Sequence, residues 1–421
     1  MKDRHAEILV IGGGPVGACA ALELARSGAR VTLVEREESV CPPVSGAHAN
    51  CGLIAPSFVE PLAAPGALGQ GLRWLLDGTS PFYITPRPSP SLASWLLQFR
   101  AACRPGPAEA SMPVLRELHV QSARLHDELG REHGRRWHYR QNGELQVYES
   151  DQGLQAALAD MDKAAALGVQ GEALTPQEVR DRLPGLLVSV AGGVLHPEEG
   201  HLDPALFTRG VATLAESAGA RVRTGTEALA IDSSGGSVRV TTTRGDLTAH
   251  QVVLANGAWS AALARDVGLR LPIEPAKGYS IDLERPDGFP ELPVYVGEAH
   301  MVITPIAGAL RLGGTLELAG WDLRVRPKRL QGLRRAAERT FGLGADHPVR
   351  QIWRGPRPVT PDGLPVVGRA PRHQRVIVAT GHCMLGLSLA PYTGRLVAQL
   401  AAGASPSTDL APLSPQRFRL L

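Results

Sequence analysis

The chain has 421 residues, of which 43% are hydrophobic and 20% are charged, and its formal net charge is +3. The length predicts two or three domains, and the near balance of 44 basic and 41 acidic residues argues against nucleic acid as a partner. The 5 cysteines show no C-x-x-C spacing, which favours reduced thiols of a cytoplasmic protein over a disulfide framework or a metal site. Because no apolar run reaches membrane-spanning length, we expect no transmembrane helix and no cleaved leader.

A strand, a glycine turn and a helix open the predicted structure at residues 8–26. The turn and the start of the helix consist of Gly12, Gly14, Pro15, Val16 and Gly17. In the spacing G-x-G-x-x-G, Gly12 allows a tight turn, Gly14 lets the backbone approach a pyrophosphate, and Gly17 lets the helix pack closely. The helix N-terminus directs free N–H groups at the phosphates, and Glu35, at the end of the next strand, would accept ribose hydroxyls. This unit predicts a dinucleotide site.

The elements that follow in chain order are irregular or helical. Residues 41–52 carry small and polar side chains without a helical or strand period, which is typical of a functional loop. The prolines within 81–90 indicate a crossing between domains. Apolar spacing then predicts helices at 112–132 and 154–167, on either side of a short strand at 144–148.

The second half of the chain is richer in predicted strands. Asp203 is placed to cap a helix at 205–218. Strands are predicted at 221–224, 238–243, 251–254, 279–283, 294–296, 301–305, 310–313 and 375–379. Those between 279 and 313 predict the antiparallel sheet of a second domain. The last strand leads into a glycine turn at Gly381 and a helix at 392–402.

Three observations favour FAD over NAD as the dinucleotide. The glycine unit lies at the N-terminus of the chain. A second apolar strand, ending at 254–258, resembles the strand and turn of FAD proteins. The unit from Ala379 onward offers a second helix N-terminus, whose dipole would stabilise negative charge at the pyrimidine edge of a reduced flavin.

The chain resembles the D-amino-acid oxidase superfamily, which includes glycine oxidases, sarcosine oxidases and D-amino-acid dehydrogenases. The resemblance covers nearly the whole chain and is strongest to bacterial D-amino-acid dehydrogenases. It is carried by the opening fingerprint with Glu35-Arg36 and by residues 49–56, 275–281, 311–317, 357–365 and Gly381-His382 with Gly386. The run at 384–391 is similar to the branch that acts on D-proline and D-hydroxyproline.

This resemblance implies an α/β fold of two domains. A Rossmann-like FAD-binding domain of the glutathione-reductase type would comprise residues 1–85, 172–270 and 345–421. An α+β substrate domain built on an antiparallel sheet would comprise residues 86–171 and 271–344. The residues expected at the cofactor are Gly12, Gly14, Pro15, Val16, Gly17, Glu35, Arg36, Ser45, Asn50, Cys51, Gly52, Leu53, Asn256, Gly257, Gly355, Gly381, His382, Met384, Leu385, Gly386 and Leu387.

Oxidation of an amino acid requires that its carboxylate is held and that its α C–H faces flavin N5. A planar guanidinium matches a carboxylate, so Arg357 is the first candidate, with Arg354 in reserve. The alternative role for Arg357 is structural, in which its side chain would hold the loop at 360–362 in place. Tyr279 is a candidate donor to the carboxylate or a packed tyrosine, and His48 is a candidate contact to the substrate or ring or a hydrogen-bonded loop histidine.

The chain departs from two patterns of the superfamily. Some sarcosine-oxidase relatives attach FAD through a cysteine just before the Thr-Pro-Asp element, and here residues 354–357 contain no thiol. The flavin is therefore expected to be non-covalent. Glycine-oxidase-like relatives place an arginine right after a strand-ending proline, and here Pro305 is followed by Ile306.

The expected function is FAD-dependent dehydrogenation of a D-amino acid or a cyclic imino acid. Hydride would pass from the α-carbon to N5, and the electrons would go to a quinone or another carrier. One alternative is a glycine- or sarcosine-type oxidase that makes hydrogen peroxide. Another is an FAD-binding subunit of a hetero-oligomeric complex that relays electrons without catalysis. The apolar patches at 74–76 and 95–97 would permit contact with the inner face of the membrane, although core packing explains them equally well.

Overall fold

The computed structural model describes residues 5–75 and 79–418. Its α-helices are α1 (Pro15–Arg26), α2 (Ala67–Trp74), α3 (Pro90–Ala102), α4 (Pro105–His133), α5 (Asp151–Ala165), α6 (Pro176–Arg182), α7 (Pro204–Ser217), α8 (Ser260–Ala264), α9 (Pro327–Phe341) and α10 (Ala390–Ala401). Short 3-10 helices lie at Gly134–Arg136, Gly257–Trp259, Arg265–Val267, Ala411–Leu413 and Pro415–Phe418.

The strands of the same residues form two large sheets and one short pair. They are β1 (His5–Ile11), β2 (Val31–Val34), β3 (Leu53–Ile54), β4 (Phe82–Ile84), β5 (Glu144–Tyr148), β6 (Glu172–Leu174), β7 (Gly192–His196), β8 (Gly200–His201), β9 (Arg221–Arg223), β10 (Ala228–Asp232), β11 (Val238–Thr242), β12 (Leu247–Leu254), β13 (Glu274–Glu284), β14 (Val294–Val296), β15 (Met301–Ile306), β16 (Ala309–Gly313), β17 (Leu316–Leu318), β18 (Val349–Val359), β19 (Val366–Ala370) and β20 (His373–Thr380).

The first sheet has β1 near its centre. Its order is β10-β11-β12-β1-β2-β9, and β20 pairs with β12 and β19. The pairs of β1 with β2 and β12, of β2 with β9, and of β12 with β20 are parallel. Ile8 and Val10 pack toward α1 and α7, whereas Leu9 and Ile11 pack on the opposite face. Burial on both faces explains why β1 reads as a continuous apolar run rather than an alternating one.

The second sheet has the order β4-β17-β13-β16-β15-β14-β5-β7-β6, and β18 pairs with β13. Its pairs are antiparallel except β14 with β5 and β17 with β4. Leu145, Ile281, Ile303 and Leu312 form one buried cluster with residues of α6 and α9. An α/β fold with a second, mainly antiparallel sheet confirms the predicted fold class.

The predicted domain boundaries do not coincide with the division between the two sheets. The segments 1–85, 172–270 and 345–421 were assigned to the FAD-binding domain, yet β4, β6, β7 and β18 lie in the second sheet. The boundaries near 85, 171 and 344 stay a prediction. The hydrophobic period of a strand indicates which of its faces are buried, but it does not indicate which sheet the strand joins.

Several predicted elements agree with the structure. The strand at 144–148 has the predicted ends, and the Asp203 carboxylate accepts the Leu206 N–H at 2.8 Å at the start of α7. The helix predicted at 112–132 begins earlier, at Pro105, because a proline fits the first turn of a helix.

The structure accounts differently for the two apolar patches at 74–76 and 95–97. Trp95 is 4% exposed and its indole N–H donates to the Val359 carbonyl at 3.1 Å, so core packing accounts for it. Leu97 is 68% exposed, and Leu76 lies outside the described residues. Within the described ranges, no helix combines the length and apolar character that a membrane crossing requires.

Candidate active site

A cavity opens at the carboxyl ends of the parallel strands, where α/β sheets bind their ligands. Its volume is about 320 Å³, inside the range of about 300–1,000 Å³ typical of ligand sites. The lining residues that were predicted from the sequence are Gly12, Gly14, Pro15, Val16, Glu35, Arg36, Ser45, Asn50, Asn256, Gly257, Arg357, His382, Met384, Gly386 and Leu387. In the described part of the chain, no group of three His, Cys, Asp or Glu side chains is placed to hold a metal ion.

The three glycines of the first turn have different surroundings. Gly12 has a φ of +110°, and a Cβ there would lie 2.7 Å from the Ala255 carbonyl oxygen. A Cβ at Gly17 would lie 1.9 Å from the Gly12 carbonyl oxygen, as close helix packing requires. A Cβ at Gly14 would meet no protein atom within 4 Å. Gly14 is the N-cap of α1, so this open space adjoins the helix end whose first N–H groups lack acceptors within the helix.

The carboxylate of Glu35 is fixed by two backbone amides. One oxygen accepts the Gly13 N–H at 2.7 Å and the other accepts the Glu37 N–H at 3.0 Å. Each carboxylate oxygen can accept a second hydrogen bond, so Glu35 retains acceptors for ribose hydroxyls. Beside it, the Arg36 guanidinium lies 4.5 Å from the centre of the Trp259 ring, which also lines the cavity.

The last glycine turn reaches the same cavity from β20. The Thr380 hydroxyl donates to the Gly257 carbonyl at 2.9 Å and so connects this turn to the one after β12. His382 is buried, its Nε2 lies 3.0 Å from the Thr393 hydroxyl, and burial lowers the pKa of His382 to about 3. The imidazole is therefore neutral.

Some residues predicted at the cofactor do not line the cavity. They are Gly17, Cys51, Gly52, Leu53, Gly355, Gly381 and Leu385. A Cβ at Gly52 would lie 2.2 Å from the Leu202 carbonyl oxygen, and one at Gly355 would lie 2.9 Å from the Ser45 carbonyl oxygen. The Cys51 sulfur packs against the bare Cα of Gly313, where an added Cβ would be 2.3 Å away. These glycines permit close backbone approach behind the cavity wall.

The sequence interpretation missed other lining residues. Thr226, Glu227, Ala228 and Leu229 follow β9, a parallel neighbour of β2, at the same edge of the sheet. No motif marks this segment. Its position after an apolar strand was the available signal, because the carboxyl ends of parallel strands share one edge.

Arg357 is the substrate candidate that lines the cavity. It donates to the Thr315 carbonyl at 2.5 Å, and among the described residues no carboxylate pairs with it. Burial lowers its pKa, so the guanidinium charge is incompletely compensated. Gly278 leaves room for the side chain, since a Cβ there would be 2.5 Å from the guanidinium carbon. The loop at 360–362 is tied instead by Arg417, which donates to the Asp362 carboxylate at 2.7 Å.

The other three candidates have protein partners and do not line the cavity. The Tyr279 hydroxyl donates to Glu317 at 3.0 Å inside a buried cluster, and burial raises the pKa of Tyr279. Arg354 donates to the Leu323 carbonyl at 3.1 Å. The Nδ1 of His48 lies 2.9 Å from the Cys41 carbonyl oxygen, and burial lowers the pKa of His48.

A buried carboxyl pair, unrecognised in the sequence, lies behind the irregular loop. Glu144 is 5% exposed, and one carboxylate oxygen of the neighbouring Glu199 is buried without a hydrogen-bond partner among the described residues. Burial and the neighbouring Glu199 raise its pKa to about 8. Glu199 accepts the Ser57 N–H at 2.7 Å, and burial raises the pKa of Glu199 to about 7. Burial therefore favours the protonated form of both carboxyl groups.

Known proteins resemble the chain over almost its full length. A family model described as FAD dependent oxidoreductase matches residues 7–400. A D-amino acid dehydrogenase of Cereibacter sphaeroides is 35% identical over 417 residues, which cover 98% of this chain and 95% of that relative. The crystal structure of glycine oxidase from Geobacillus kaustophilus has a TM-score of 0.81 at 25% identity and covers 99% of both chains. That of L-proline dehydrogenase from P. horikoshii has a TM-score of 0.78 at 21% identity, with 99% and 98% covered.

Proposed function

The chain belongs to the family of FAD dependent oxidoreductases, and on that premise we propose that it dehydrogenates a D-amino acid or a cyclic imino acid of the D-proline or D-hydroxyproline type. The relative named D-amino acid dehydrogenase, 35% identical over nearly the full length, supports the substrate class. FAD, when bound, supplies the hydride acceptor for the α-carbon. The chain holds this cofactor and orients the substrate.

The observation that carries the proposal is Arg357, which has no carboxylate partner within the described part of the chain and lies in the cavity that both glycine turns also line. A guanidinium without a carboxylate partner is costly inside a protein unless a ligand completes it. An amino acid supplies that partner, because its carboxylate accepts two parallel hydrogen bonds from an arginine. In this arrangement Arg357 fixes the carboxylate of the substrate. Because the α-carbon is bonded to that carboxylate, its position is fixed as well.

The residues at the first turn fit an FAD molecule. The open space at Gly14 suits the pyrophosphate, and the free acceptors of Glu35 suit the ribose. Non-covalent binding is supported by the state of the cavity's thiol. Cys383 is the one cysteine among the described residues that line the cavity. Burial raises the pKa of Cys383 to about 11, which keeps the thiol protonated and a poor nucleophile.

A quinone or another carrier is the proposed electron acceptor, and the cytoplasm is the proposed location. Peripheral contact with the membrane would bring the protein to a membrane quinone. Leu68 and Leu97 are 37% and 68% exposed on a groove that Arg100 and Arg104 also line. Apolar side chains flanked by arginines suit an anionic lipid surface. Flotation with vesicles that contain anionic lipid tests this contact, and Leu97→Glu should abolish it.

A glycine- or sarcosine-type oxidase is the second candidate, favoured by the likeness to glycine oxidase. Anaerobic titration of the purified yellow protein with a panel of D-amino acids, D-proline and N-methyl amines separates the candidates. Bleaching of the flavin by a D-amino acid or D-proline, with little hydrogen peroxide formed in air, supports the dehydrogenase. Peroxide formed as fast as substrate is consumed supports the oxidase. A yellow protein that no substrate bleaches, or a colourless one that does not take up FAD, contradicts the proposal.

A further inference from the structure

The last glycine turn is held from behind by α4, a helix far from it in the sequence. The Ser122 hydroxyl donates to the Ser388 carbonyl at 2.6 Å. One helical turn later, the Nε2 of His126 lies 3.2 Å from the Leu387 carbonyl oxygen. Both side chains are buried, at 0% and 1% exposure. Gly386 and Leu387 line the cavity on the other side of this backbone.

The Leu387 carbonyl lies within hydrogen-bond distance of His126 and also accepts the Ala390 N–H at 3.2 Å, and the two contacts together fix the direction of one peptide unit. A trans peptide unit is planar, and its C=O and N–H groups point in opposite directions. The carbonyl of Leu387 and the N–H of Ser388 belong to the same unit. Because the carbonyl is directed toward His126 on α4, the Ser388 N–H points away from α4.

The amides at this point of the turn are available to a ligand. Among the described residues, the N–H groups of Gly386, Leu387 and Ser388 have no hydrogen-bond acceptor, whereas those of Leu389 and Ala390 donate within the turn. Successive free amides at the start of a helix favour negative charge or a carbonyl oxygen.

The protonation state of His126 is the one that a hydrogen-bond donor to the Leu387 carbonyl requires. A carbonyl oxygen only accepts hydrogen bonds, so Nε2 must carry the proton. The Nδ1 atom has no partner among the described residues, and burial lowers the pKa of His126 to about 4. The ring is therefore neutral at physiological pH. An apolar side chain would avoid the cost of the unpartnered Nδ1, so the advantage of histidine at this place lies in the bond that it donates.

We propose that His126, assisted by Ser122, is a positioning residue that raises the reduction potential of the bound FAD by orienting the Ser388 amide toward the flavin. The inference rests on the proposed function and on the expectation from the sequence that the helix N-terminus after β20 adjoins the pyrimidine edge of the flavin. Reduction places negative charge on the pyrimidine edge of the ring, and an oriented amide stabilises that charge more than it stabilises the neutral oxidised form.

The test compares flavin midpoint potentials of the holoenzyme, measured against reference dyes, in His126→Leu, His126→Gln and the wild type. His126→Leu should lower the preference for the reduced cofactor by about tenfold, a shift of about 30 mV to more negative potential for a two-electron couple. His126→Gln retains an N–H donor near the same place and should recover most of the shift.

A matched control is His119→Leu. His119 lies on the same face of α4, is also 1% exposed, and contacts the side-chain oxygen of Ser388 at 3.2 Å rather than a peptide carbonyl. This variant should lower Tm without changing the potential. An unchanged potential in His126→Leu, with a loss of Tm like that of His119→Leu, would overturn the inference.

Ser122→Ala is the second variant if His126→Leu does not fold. It should shift the potential in the same direction by a smaller amount, and an unchanged potential there contradicts the inference as well. Failure of the proposed function is recognised separately, because the wild type would then bind no FAD or show no bleaching by substrate.

Discussion

The two glycine turns of the cavity are positioned in different ways. At the first turn, Gly13 reaches Glu35, 22 residues away, and Gly12 packs on Ala255. At the last turn, the Leu387 carbonyl is held by His126, 261 residues away in the sequence. The first turn is therefore specified by its own motif together with one distant contact, at Ala255. The second depends on a distant helix, whose contribution exists only once the whole chain has folded.

The largest effects are expected from two substitutions in the first glycine turn, one that disturbs packing and one that disturbs ligand binding. Gly17→Val places a side chain on the Gly12 carbonyl, so we expect loss of the folded protein. Gly14→Ala adds a Cβ that meets no protein atom within 4 Å and should retain Tm, while it lowers FAD affinity by about 100-fold or more. Thermal unfolding without added FAD and fluorescence titration with FAD measure the two quantities. Equal losses of Tm in both variants would contradict a ligand site at Gly14.

The next effect concerns the substrate end of the cavity. Arg357→Gln removes the unpaired cation and should raise KM by about 100-fold, since truncating one partner of a buried charge pair costs about 2–5 kcal/mol. Arg354→Gln, on the same strand but outside the cavity, is the control and should change KM by less than about threefold. The measurements are steady-state KM and the absorption spectrum of the bound flavin. Similar KM values for both variants would exclude Arg357 as the carboxylate ligand.

A pH-dependent effect is expected from the buried carboxyl pair. The folded-state pKa of Glu144, about 8, lies above its ordinary value of 4.5, so the folded protein binds the proton more tightly than the unfolded chain. Stability is therefore lost as the pH rises from about 4.5 through 8. Glu144→Gln removes this dependence and should gain about 1–2 kcal/mol relative to the wild type at pH 9, with no gain at pH 4. Thermal unfolding at both pH values checks this, and a gain that is equal at both would contradict it.

The smallest expected effect lies where the turns after β12 and β20 meet. Thr380→Val keeps the shape of the side chain but removes the hydroxyl that donates to the Gly257 carbonyl. Loss of this hydrogen bond should lower FAD affinity by about three- to tenfold, because one buried hydrogen bond contributes about 0.5–1.5 kcal/mol. FAD titration measures it, with Thr393→Val, which acts on His382 at the same turn, as the comparison. An unchanged affinity in Thr380→Val would show that the two turns are independent.

Two choices among the substrate candidates could not be made from the sequence. Side chains alternate between the faces of a strand, so Arg354 and Arg357 on β18 point to opposite faces. Tyr279 and Gly278 on β13 are separated in the same way, and only the face of Gly278 adjoins the cavity. The sequence showed that these residues lie on strands. It contained nothing to indicate which face of each strand is turned toward the first sheet.

The amino-acid sequence by itself determined the elements whose cause is local: the first glycine turn, the Glu35 acceptor after β2, the capped start of α7, and the apolar periods of the strands. These depend on steric limits, hydrogen bonds and burial within short segments. Only the tertiary structure decided which sheet β18 joins, which candidate arginine lines the cavity without a carboxylate partner among the described residues, and that α4 contacts the last turn. Contacts between segments far apart in the sequence arise from the packing of the folded chain, and no local pattern encodes them.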